Sequence, residues 1–124
     1  MLPALLLVAV LAVLTVFQIA LVFGAPLGRF TFGGRYPGAL PTGLRVAAGL
    51  SIAVYALMAT LALDRAGVIA VYPEGASRIG MWVVFGFLVL NMIPNAFSPS
   101  RSERLVMTPL LVVMSVLALL VALG

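Results

Sequence analysis

Residues 2–23 read LPALLLVAVLAVLTVFQIALVF, an apolar run of 22 residues interrupted only by Pro3, Thr15 and Gln18. At ~1.5 Å of rise per residue, a helix of that length crosses the ~30 Å of hydrocarbon in a bilayer. Three more runs of similar length follow, at about 43–63, 79–97 and 105–123. Backbone N–H and C=O groups have no water to bond in lipid, so each run must satisfy them internally and reads as a helix. The runs are also too long for the ~10-residue alternating strands of a membrane barrel. The fold expected is all-α: one domain over residues 1–124, a four-helix transmembrane bundle with both termini on the same side.

Composition supports this reading. Apolar residues make up 65% of the chain and charged residues 8%, against ~45–50% and ~25% in soluble domains. The formal charge is +4, and all seven basic residues are arginines. They stand singly between apolar runs, which argues against a nucleic-acid partner. Arg29, Arg35, Arg45, Arg101 and Arg104 are expected to meet anionic lipid head groups. Cysteine and histidine are absent, which removes disulfides, thiol chemistry and most transition-metal sites. No cofactor and no metal is expected.

The first run carries no basic residue ahead of it, and it exceeds the ~7–15-residue apolar core of a cleaved signal. It therefore reads as a retained helix. The loops then set the direction. Loops one and three, with their helix junctions, hold five arginines (Arg29, Arg35, Arg45, Arg101 and Arg104) against two in loop two, Arg65 and Arg78. The positive-inside rule places loops one and three in the cytoplasm and both termini outside.

Boundary residues agree with four spans. Gly24 and Pro26 follow the first, and Asp64, Arg65 and Gly67 close the second. Pro94 should kink or end the third. Ser100 and Glu103 have capping-box spacing before the fourth, while Thr108 with Pro109 offers a competing start.

Polar side chains inside lipid are costly and therefore informative. On the helical ruler, Gln18 lies about 8 Å from the loop-one end of its span. Asn91 and Asn95 lie about 9 Å and 3 Å from the loop-three end of theirs. Arg45 and Thr108 stand near the starts of the second and fourth spans. These five residues gather in one half of the bilayer, and the opposite half is almost wholly apolar. Two readings follow: interhelical hydrogen bonds that fix packing, or a polar pocket lined by Gln18, Arg45, Asn91, Asn95 and Thr108. Gly49, Ser51, Ala53, Tyr55 and Ser115 read as helix-packing positions, because small and weakly polar residues let helices approach closely.

The stretches Gly24-Ala-Pro-Leu-Gly28 with Gly33-Gly34 and Gly38-Ala-Leu-Pro41, and Asn95-Ala-Phe-Ser98-Pro-Ser100-Arg-Ser-Glu103-Arg104 before Pro109, resemble a group of small uncharacterised bacterial membrane proteins with four helices. The resemblance implies a bacterial inner membrane and no particular chemistry. Small multidrug transporters need a glutamate in the first helix, and none is present there.

Three functions compete at this level. The leading one is an accessory or self-associating helix bundle with a homo-oligomeric or membrane-protein partner. The second is a transporter or channel for a small or lipophilic solute. The third is an intramembrane enzyme using Asp64 with Glu74, although solvated loop charges explain that pair better.

Overall fold

The computed structural model describes residues 2–28 and 38–124. Among these residues it contains helices and loops and no strand. The helices are α1 (Leu2–Val22), α2 (Thr42–Arg65), α3 (Ala76–Ala96) and α4 (Thr108–Leu123), with a π-helical turn over Glu103–Met107 leading into α4. Counting that turn with α4, the four segments are 21, 24, 21 and 21 residues long, each apolar enough to cross a membrane. The chain folds as an all-α four-helix bundle.

Successive helices are antiparallel neighbours. The tightest pairs are α1 with α2 and α3 with α4, and α1 with α4 and α2 with α3 close the ring. Pro3 and Ala4 meet Arg65 and Gly124 around a small cleft, so both ends of the described chain lie at the loop-two end of the bundle. Arg29 and Arg35, expected at lipid head groups, lie outside the described residues.

Most of the core belongs to the loop-two half. Leu7, Leu11, Met81, Ala62 and Ala118 are each 1% exposed or less. Alanines Ala4, Ala62, Ala118 and Ala122 bring the backbones close, as in other membrane bundles. At Gly80 an added Cβ would sit 2.7 Å from a Leu61 methyl, so α2 and α3 touch there. A second, smaller cluster of Leu21, Leu40 and Ala48 seals the α1–α2 corner.

Arginines terminate three helices. Arg45 Nε donates to the Val22 carbonyl at 2.8 Å, Arg65 to Ala122 of α4 at 3.4 Å, and Arg104 to Ser98 just beyond α3 at 3.0 Å. A cation at a helix C-terminus bonds orphan carbonyls and complements the helix dipole. Gly24 completes the end of α1 with φ +86, a left-handed conformation that favours glycine, beside the Arg45 guanidinium.

Two boundaries differ from the sequence reading. Helix α3 starts at Ala76, capped by Gly75 at φ +81, so polar Ser77 and Arg78 belong to the helix rather than to loop two. Of the two competing starts of the fourth helix, the one at Ser100 is used; Thr108 is already helical and caps nothing. Ser100 Oγ accepts the Glu103 N–H at 3.3 Å, as a capping residue does. The wide π-turn then absorbs Pro109, whose ring conflicts with regular helical pairing one turn back.

Candidate functional site

A cavity of about 490 Å³ occupies the half of the bundle nearest loops one and three. It forms where α1, α2, α3 and the π-turn diverge from the packed end. Leu14, Met58, Leu88 and Met114 form its floor, at the edge of the core.

Three of the five residues read as a polar cluster stand on its wall: Gln18, Asn91 and Asn95. Gln18 is 8% exposed and donates from Nε2 to the Tyr55 hydroxyl oxygen across the α1–α2 contact at 3.3 Å. Asn91 and Asn95 are spaced four apart and share one face of α3. Each donates one amide hydrogen to the carbonyl four residues back, Asn91 to Phe87 at 2.8 Å and Asn95 to Asn91 at 2.7 Å. These bonds fix the side chains against the helix.

Arg45 is not part of the wall, because its guanidinium is drawn to the C-terminus of α1. Thr108 is not on the wall either; its Oγ1 is buried without a hydrogen-bond partner.

The packing positions divide as well. Ser51 and Tyr55 line the cavity, although Ser51 bonds within its own helix to Ala47 at 3.1 Å. Gly49 packs beside Val22 of α1. Ala53 faces outward, on the surface a bilayer would cover. Ser115 is buried in α4, with Oγ unpartnered.

The capping-box spacing places Glu103 at the start of the fourth span. The structure buries it to 7% exposure on the cavity wall, with its carboxylate accepting the Ser98 hydroxyl at 3.1 Å. Capping-box spacing located the helix start, but only the π-turn sets the inward direction of the side chain. Arg101, by contrast, is exposed.

At the other end Asp64 serves the loop. Its Oδ2 accepts the backbone N–H groups of Val71 and Tyr72 at 2.8 and 2.9 Å, and Glu74 is exposed. Thr60 and Tyr72 share a hydroxyl–hydroxyl bond of 2.7 Å. Among the described residues no group of three or more metal-type ligands occurs.

These features define a class: a multi-pass membrane protein with a cavity confined to one half of its helix bundle. Set against protein-family models, curated proteins and solved structures, the chain gives no significant match, so its functional reading rests on its own residues.

Proposed function

We propose that the protein binds a small, mostly apolar solute in this one-sided cavity. The carrying observation is the wall itself: apolar surface from Leu14, Met58 and Met114 joined to a few convergent polar groups, Gln18, Tyr55, Asn91 and Asn95. A cavity of ~300–1,000 Å³ with that mixture is the usual form of a small-molecule site. The packed half argues against a continuous pore, which needs polar lining through both halves. A binding, sensing or carrier role therefore fits better than a channel.

The test is thermal stability of the detergent-solubilised protein against a panel of lipophilic alcohols, amides and amines. At least one should raise Tm, and Asn91→Leu with Asn95→Leu should abolish that rise while leaving the fold intact. If no member of the panel shifts Tm, the pocket reading fails.

A second reading is self-association, favoured by one observation: Ala53 and Ala56 both face outward on α2, where a second helix could approach closely. Native mass spectrometry from membranes would show dimers that Ala53→Leu removes; a strictly monomeric protein contradicts it.

The proposed setting is a bacterial inner membrane, with the cavity half toward the cytoplasm and Arg101 and Arg104 near anionic head groups. Reporter fusions at the C-terminus should report an outside location.

A further inference from the structure

We infer that the cavity is filled sideways, from the bilayer between α2 and α3, and that its occupant is a single-chain amphiphile lying tail-inward. This rests on the ligand-pocket reading above and adds a route and a ligand class to it.

The route follows from where the wall reaches the outer surface. Every wall residue contributed by α1, α4 and the π-turn is buried or half-buried. On α2 and α3, however, Val54 and Phe87 line the cavity and are also 40% and 45% exposed, and the exposed wall continues past Pro94 to Phe97 and Pro99 at the loop-three end. These helices are held together at the loop-two end by Leu61 against Gly80 and by Thr60 with Tyr72. Their seam opens toward the other end. Val54 lies twelve residues into α2, or about 18 Å from its start. Phe87 lies nine residues before the end of α3, or about 14 Å from it. An opening at that depth faces acyl chains rather than water, so molecules already dissolved in the bilayer have the direct approach.

The ligand class follows from the gradient along the wall. The deep end is apolar: Leu14, Met58, Leu88 and Met114 are all buried. Most polar groups lie toward the helix ends, Gln18 near the end of α1, Asn91 and Asn95 on the last two turns of α3, and Ser98 and Glu103 beyond it, with Ser51 and Tyr55 between them and the floor. A chain with one polar head in that leaflet already has this orientation. It passes through the seam without turning over, its head at Asn91 and Asn95 and its tail on the methionine- and leucine-lined floor. Flexible Met58 and Met114 suit a ligand whose shape varies, because unbranched thioethers repack easily.

The experiment uses the full chain in phosphatidylcholine vesicles with a diazirine-bearing dodecanol, photolysed and mapped by mass spectrometry. The floor residues are shielded from bulk lipid, so adducts on Leu14, Met58, Leu88 or Met114 report a tail inside. Such adducts should appear, and excess unlabelled dodecanol should remove them. Val54→Trp should slow their formation about tenfold while lipid-facing adducts at Val83 and Val113 are unchanged. Phe87→Trp serves as a second seam-blocking variant, and helical circular dichroism confirms that each folds. If floor labelling is as fast in both variants as in the parent, the sideways route is wrong. If a water-soluble diazirine-bearing amide labels the floor and dodecanol does not, the amphiphile is wrong and the pocket stands. If neither probe reaches the floor, the pocket reading itself falls.

Discussion

The two halves of the bundle use the same four helices differently. Near loop two, Leu7, Leu11, Met81, Ala62 and Ala118 interlock with almost no residual exposure. Near loops one and three, α1 and α2 stay packed through Leu21, Leu40 and Ala48, but the bundle encloses about 490 Å³ of cavity. The packed half places small alanines between large side chains, which brings backbones together. The hollow half is lined by Phe17, Phe87, Pro94 and two asparagines, and α3 continues through Pro94 to Ala96. In lipid the apolar solvent resembles the core, so association depends on close van der Waals fit. The packed half supplies that fit, and the other half is free to stay open.

The largest expected effect is in the packed half. Leu11→Ala should destabilise the protein by about 3 kcal/mol, because a cavity opens where nothing can collapse. Leu110→Ala, at the cavity edge, should cost under about 1 kcal/mol, since that side chain already lacks neighbours on one face. Denaturant titration in mixed micelles compares the two, and equal losses would break the contrast.

Next comes the arginine that joins α2 to α1. Arg45→Leu should cost about 2 kcal/mol, having removed a charged hydrogen bond to an orphan carbonyl. The same titration reads it, and a neutral result would mean that Val22 is satisfied another way.

A smaller effect sits at the α2–α3 contact. Gly80→Ala puts a methyl against Leu61 and should cost about 1 kcal/mol. The clash is with the flexible end of a leucine, so adjustment limits the loss.

The smallest stability effect belongs to the cavity wall. Gln18→Leu should change stability by under about 1 kcal/mol, because interhelical polar bonds in lipid are weak. It should nevertheless weaken solute binding in the Tm panel. A loss of folding instead would make Gln18 a packing residue and not a ligand contact.

The four spans were legible because hydrophobic length is a one-dimensional signal. The one-sided gathering of Gln18, Asn91 and Asn95 was legible too, because depth along a straight helix follows from residue count. What the count could not supply was direction around and between helices. Arg45 shares the depth of the cluster but reaches back to α1. Ala53 shares the small-residue spacing of α2 but faces outward. Glu103 was visible as a capping residue, and its inward turn depends on a π-helical register that no local pattern announces. The start of α3 was misplaced because Ser77 and Arg78 look like loop, yet Ser77 is buried in the helix.

One half of this bundle is hollow inside and the other is packed. The chain has no cysteine, so single cysteines can be placed at will and challenged with N-ethylmaleimide in reconstituted vesicles. Ser51→Cys and Asn95→Cys, on the cavity wall, should react at least about tenfold faster than Ala62→Cys and Ala118→Cys in the packed half. Equal reactivity in all four variants would contradict the account.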